Sequence, residues 1–127
     1  MPLKEKKAVV IGGSSGIGLA VAKALVNSGA HVVIASRSSN KLDEAQRTIG
    51  ANTLAFRLDV TQEEKVQQFF EDIGPFDHLV CTAVSGTNAP FLEMDTADAK
   101  TVFTTKFWGQ YYAARYGAPM IRPGGSI

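Results

Sequence analysis

Short apolar runs alternate along this chain with segments whose apolar residues recur every three or four positions, and that alternation permits very few folds. Ala8 to Ile11, His31 to Ala35, Thr53 to Leu58 and His78 to Val84 are the strand-like runs. Ala8-Val9-Val10-Ile11 is wholly apolar and β-branched, as a parallel strand covered on both faces should be. Helical spacing predicts a helix from Gly16 to Ser28, where Leu19, Ala22, Leu25 and Val26 recur before Asn27-Ser28-Gly29 supplies a stop. A second helix follows the capping residues Ser38-Ser39-Asn40 and carries Leu42, Ala45 and Ile49. Thr61 with Glu64 reads as a capping box opening a third helix through Val66, Phe69 and Phe70, which Gly74-Pro75 ends. After a loop with Gly86, Asn88 and Pro90, a long helix is expected from Thr96 to about Tyr116. Pro119, Pro123 and Gly124-Gly125 then break the pattern, and Ser126-Ile127 reads as the first step of a fifth strand. Strands joined by helices of this length form right-handed crossovers. The fold class is therefore α/β, a doubly wound parallel sheet with helices on both faces.

The connection after the first strand carries the chemistry. Gly12-Gly13-Ser14-Ser15-Gly16-Ile17-Gly18 lies between a buried strand and an amphipathic helix. Gly12 permits a sharp turn, Gly16 permits close approach of the backbone to a diphosphate, and Gly18 lets the helix lie near the sheet. Free amides and the dipole at the helix start favour an anion, and Ser14 and Ser15 add hydroxyl donors. A tight strand-to-helix turn also needs glycine without any ligand, so the motif has a purely structural alternative. Leu19 follows Gly18 where a nucleoside triphosphatase loop would need Lys and then Ser or Thr, which argues against an ATPase or GTPase.

At the end of the second strand, where a carboxylate would bind the ribose hydroxyls of NAD, the chain has Ser36 and then Arg37. A guanidinium fork suits a 2′-phosphate, and Ser36, Ser38 and Ser39 add hydrogen bonds without repulsion, so the dinucleotide read here is NADP(H). Arg37 as an ordinary exposed arginine is the alternative, and Lys41 either helps or faces solvent.

The spacing Gly12-x-x-x-Gly16-Ile17-Gly18 resembles that of the short-chain dehydrogenase/reductase family, a likeness covering nearly the whole chain but about half of a family domain. The resemblance implies a Rossmann-like domain over residues 1–127, cut short as strand five begins. It implies that Asp59-Val60 holds the adenine ring, with Asp59 as a helix cap being the alternative. Where the family has Asn-Asn-Ala-Gly this chain has Cys81-Thr82-Ala83-Val84, so Ala83 is the matching position beside the cofactor. Ile11 stands where the family has Thr before the first glycine, so one local hydrogen bond is lost and other support for the turn is expected. Lys106-Phe107-Trp108-Gly109 stands where the family has Asn-x-x-Gly, with the Asn in its proton relay. Lys106 is read as a relay residue or as a solvated or packing lysine, and the latter is preferred.

The family's Ser and Tyr-x-x-x-Lys follow strand five, so no residue here is assigned a catalytic role. Tyr111-x-x-x-Arg115 copies only the spacing, and Tyr111, Tyr112 and Tyr116 are read as helix packing. Without strand five, His78 to Val84 would be an open apolar edge, from which self-association as a homo-oligomer, a borrowed strand or instability would follow.

The function expected is the NADP(H)-binding portion of an oxidoreductase passing hydride to or from a carbonyl or alcohol substrate, inactive by itself. A noncatalytic NADP(H)-binding or interaction module is the alternative, and a reductase of the sugar-nucleotide or flavin type is a weaker one. Thirteen basic against 12 acidic residues give a net charge of +1, so neither nucleic acid nor an anionic membrane is an expected partner. Cys81 is the sole cysteine, which rules out an internal disulfide and a cysteine zinc site, and it reads as a small buried hydrophobe. No run approaches the ~18 apolar residues of a membrane span, and Met1 to Lys7 has no signal-peptide core, so the expected address is cytoplasmic.

Overall fold

The computed structural model describes residues 2–83 and 88–127. Five strands, β1 (Lys7–Ile11), β2 (His31–Ser36), β3 (Thr53–Arg57), β4 (Phe76–Cys81) and β5 (Ile121–Ser126), form one sheet in the order β3-β2-β1-β4-β5, with every pair parallel. The connecting helices are α1 (Gly16–Asn27), α2 (Ser39–Ile49) and α3 (Glu63–Ile73). Between β4 and β5 lie α4 (Thr96–Phe103), a π-helical stretch (Thr104–Gly109), α5 (Gln110–Gly117) and a short 3-10 turn (Ala118–Met120).

The period-two geometry of β1 divides its side chains between two cores. Val9 and Ile11 join Val33 and Ala35 against α3 and α5, where Phe69, Phe70, Phe76 and Ala113 complete the packing. Val10 turns the other way with Val32 and Ile34, against Ala22 of α1 and Leu42 and Ala45 of α2. Both faces of the sheet are thus covered, which is why β1 carries no polar residue beyond Lys7. Helix ends are set by backbone chemistry: Gly29 and Gly74 take positive φ values of 97° and 70° just past α1 and α3. Ser38 caps α2 by accepting a bond from the Lys41 amide.

Several expectations are corrected. The capping box at Thr61 does not form: α3 starts at Glu63 with Gln62 as its cap. The Thr61 hydroxyl instead donates to Asp59 Oδ1 at 2.7 Å, and the Thr61 amide donates to the same oxygen at 3.0 Å. Asp59 thereby closes a side-chain turn ahead of the helix, and Thr61 stays in that turn. The fifth strand begins at Ile121, well before Ser126, and it lies beside β4 rather than leaving that edge open. Pro123 and the glycines are accommodated where the register shifts between Phe76 and His78, an edge position that needs no ladder donor from proline. A side chain at Gly125 would stand 2.0 Å from the Asp77 carbonyl oxygen, so glycine is required for this pairing. The pairing reaches Phe76 and His78, and Leu79, Val80 and Cys81 border a groove against α5 and Ile127. Strand four ends at Cys81; Val84 and Gly86 lie outside the described residues. No helix among the described residues is long and apolar enough to cross a membrane.

Buried Asp77 ties the start of β1 to β5. Its Oδ2 accepts a bond of 2.8 Å from the Lys7 amide and one of 3.2 Å from Arg122 Nη1. The Lys7 amide and the Arg122 charge together outweigh burial and hold the carboxyl below its ordinary value. The folded state therefore favours the charged form. The stability this adds is complete above the unfolded value near 3.9 and is lost as pH falls through the lower folded value. Asp77→Asn should lower stability near neutral pH by about 1–3 kcal/mol and flatten the acid limb of the stability profile. Urea unfolding near pH 7 and below about pH 4 checks both effects.

Candidate functional site

The chain leaves β1 for β2 and β3 on one side, then crosses to β4 on the other, so the connections after β1 and β4 diverge and open a crevice. A cleft of about 440 Å³ occupies this place, within the range of small-molecule sites. Gly12, Ser14, Ser15, Gly16, Ile17 and Gly18 line it from the turn after β1. Ser36 and Arg37 line it from the end of β2, Asp59 and Val60 from the end of β3, and Ala83 from beyond β4. These eleven residues, expected from sequence to bind the cofactor, are thus brought to one concavity.

The turn is built by close contacts. The Gly12 amide bonds the Ala35 carbonyl at 2.8 Å, and Gly12 adopts a φ of 89°. A methyl group on Gly18 would sit 2.0 Å from the Gly12 carbonyl oxygen, so only glycine lets α1 approach β1 this closely. Gly16 differs: its φ is 55°, and a methyl group there would meet nothing within 4 Å. The space over Gly16 is therefore open cleft, at the start of α1 where amides point outward. That is the form of a cradle for a diphosphate.

Thr82 supports the turn after Ile11 from the end of the neighbouring strand. Its Oγ1 donates toward the carbonyl oxygens of Ile11 and Gly12, each at 3.4 Å, while its amide bonds Ile11 O at 2.8 Å. The departure from Asn-Asn-Ala-Gly and the departure at Ile11 thus meet at one point. Ser14 donates to the Ser36 hydroxyl at 2.8 Å, linking the turn to the end of β2 and leaving the Ser36 hydrogen to serve another acceptor.

At Asp59, burial raises the carboxyl's pKa, but the two bonds from Thr61 and the nearby Arg37 charge outweigh it and leave it below its ordinary value. Asp59 is thus an anion at neutral pH. Lys41 and Ser38 also line the cleft.

Thr105, which sequence did not single out, lines the cleft from the π-helical stretch. Thr105, Gly109, Ala113 and Gly117 are all buried at four-residue spacing. In a continuous α-helix each four-residue step drifts about 40° around the axis, and a wider turn takes that drift back. The π stretch takes back that drift between Thr105 and Gly109, so both are buried ahead of Ala113 and Gly117 on α5. A methyl group on Gly109 would lie 2.6 Å from Val60 Cγ2, so the glycine brings the helix onto the end of β3 and Thr105 into the cleft wall. The signal was present in sequence as a period of four, but it was masked by the aromatic residues between.

Lys106 is exposed and borders the groove beside Leu79, Val80 and Cys81, not the cleft. Tyr112 and Tyr116 pack on the core as expected, with Tyr116 also donating to Glu63 Oε2 at 2.6 Å. Tyr111 does not: it stays on the surface against Trp108 and Tyr112. Cys81 is half-buried and packs on the core, and burial pushes its thiol above the ordinary value. Among the described residues no group of three or more His, Cys, Asp or Glu could hold a metal ion.

The family model for short chain dehydrogenases matches residues 6–127. A 3-dehydrosphinganine reductase of Arabidopsis thaliana is 40% identical over 126 residues, 96% of this chain and 38% of its own length. The mouse 3-oxoacyl-[acyl-carrier-protein] reductase is 33% identical over 128 residues, 97% of this chain and 54% of its own length. A solved short chain dehydrogenase/reductase family protein superposes with a TM-score of 0.87 at 29% identity, covering 94% of this chain and 51% of that one. The chain thus spans about half, or less, of the length of these relatives.

The two glycines give opposite expectations. Gly18→Ala should cost about 3 kcal/mol, because a backbone oxygen must move. Gly16→Ala should cost only about 1 kcal/mol, from its left-handed backbone. Denaturant midpoints of the two variants measure the contrast, and equal losses would contradict the open space assigned to Gly16.

Proposed function

This chain belongs to the short chain dehydrogenase family, and from that premise we propose that it is the NADP(H)-binding portion of an oxidoreductase acting on a carbonyl or alcohol substrate. The observation that carries the choice of dinucleotide is the end of β2, where Ser36 and Arg37 line the cleft and no carboxylate stands in their place. An acidic side chain there would repel a 2′-phosphate, whereas a guanidinium welcomes it.

The residues fit such a group. The amides that open α1, with the space above Gly16, would hold the diphosphate, and Ser15 is placed to add a hydroxyl. Arg37, with Ser36 and Lys41 beside it, would hold the 2′-phosphate. Asp59 and Val60 would border the adenine ring, and Ala83 with Thr105 would border the opposite end. When bound, the nicotinamide supplies or accepts a hydride. The chain's own contribution is to bind and orient, and it is assigned no turnover by itself. Both relatives named above are called reductases, which favours carbonyl reduction for the parent protein. The second reading, a noncatalytic dinucleotide-binding module, is favoured by the position of Lys106 outside the cleft.

Calorimetric titration of the chain with NADPH and NADH tests the proposal. NADPH should bind at least about tenfold more tightly, as one charge-assisted contact implies, and Arg37→Asp should erase or reverse that preference. Equal affinities in the parent chain would reject NADP(H). Turnover of a carbonyl compound by the chain alone would reject the assignment of binding without catalysis.

A further inference from the structure

Resting on the reading of the cleft as an NADP(H) site, we propose that Arg57 is a specificity-determining residue of that site, holding the Arg37 backbone in place and adding a second positive charge for the 2′-phosphate. Arg57 is the last residue of β3 and sits opposite Ser36 in the parallel register. From there its Nε donates to the Arg37 carbonyl oxygen at 3.2 Å. The next residue adds a second bond, Leu58 amide to Ser36 carbonyl, at 2.8 Å. The two bonds fasten the segment that turns from β2 toward α2, which is the segment presenting Ser36 and Arg37 to the cleft.

The chemistry of arginine makes this more than a structural tie. Nε is used by the Arg37 carbonyl, and the two terminal nitrogens of the same planar fork carry the remaining donors. Arg37 lines the cleft, and Arg57, exposed at the end of β3 and bonded to the Arg37 carbonyl, is placed to bring a second charge to the same edge. A phosphate monoester is close to a dianion at neutral pH and is matched by two cations better than by one. A dinucleotide with a bare 2′-hydroxyl gains nothing from the second cation. The effect of Arg57 therefore falls on the difference between the two dinucleotides and not on binding as such.

The test uses the full chain and two adenosine fragments, adenosine 2′,5′-bisphosphate and 5′-AMP, titrated by calorimetry. Arg57→Gln should weaken the bisphosphate about tenfold while changing 5′-AMP less than about twofold. Arg57→Lys, which keeps the charge but loses the fork, should restore part of the loss. Added salt should narrow the gap between parent and Arg57→Gln, as screening requires. Equal weakening of both ligands would reduce Arg57 to a structural support and overturn the proposal. So would an unchanged bisphosphate affinity in Arg57→Gln while the parent chain still discriminates, an outcome that leaves the NADP(H) reading standing. A parent chain that does not discriminate between the two fragments overturns both.

Discussion

β1 is hydrogen-bonded on both sides and covered on both faces, and the rest of the molecule is arranged around that confinement. Ala8, Val9, Val10 and Ile11 are almost wholly inaccessible, with β2 on one flank and β4 on the other. A strand so enclosed can leave the sheet only at its end. There the backbone must turn over its own last carbonyls while a helix closes down on top of it. Gly12 and Gly18 supply the missing side-chain volume, and Thr82 reaches across from beyond β4 to the exposed carbonyls. The concavity at this place follows from how the sheet is wound, since connections diverge there, and its amides point outward because the turn of α1 nearest the sheet has no preceding residues to bond.

Much of this was legible from sequence because buried parallel strands and glycine turns leave strong local signals. The boundaries of β1, α1, β2 and α2 fall within a residue or so of those expected from apolar spacing and capping residues. What was not legible depended on competition between groups distant in kind or in sequence. Thr61 has the residue type and spacing of a cap, yet its amide and hydroxyl both donate to Asp59 in a side-chain turn, and the helix starts two residues later. Pro123, Gly124 and Gly125 look like breakers, but an edge strand tolerates them, and Gly125 is needed where the chain touches the Asp77 carbonyl. The first outcome turned on a choice between neighbouring side chains that spacing alone does not rank, and the second on Asp77, far away in sequence.

The candidate site shows the same division. The residues named from the glycine turn and strand ends all line the cleft, because strand ends in a parallel sheet converge whatever the loops do. Thr105 and the role of Thr82 escaped notice for different reasons. Thr82 acts on a turn 70 residues away, and its value appears only once β1 and β4 are known to be neighbours. Arg57 carries no local signal of its role, because its Nε meets the Arg37 carbonyl only through the pairing of β2 with β3.

The π-helical stretch has a consequence for how this segment can vary in length. Surface helices ordinarily tolerate substitution freely, and the exposed Phe103, Phe107 and Trp108 suggest such latitude. The wide turn of the π stretch holds one residue more than an α-helical turn would, so losing one residue between Thr104 and Gly109 is absorbed by a return to α-helical winding with the flanking turns still in phase. Losing one residue from α5 instead would swing everything before it by about 100° and take Thr105 out of the cleft wall. Sequence drift is thus permitted on the outer face of this helix, whereas a change of length is tolerated at the π stretch and not in α5.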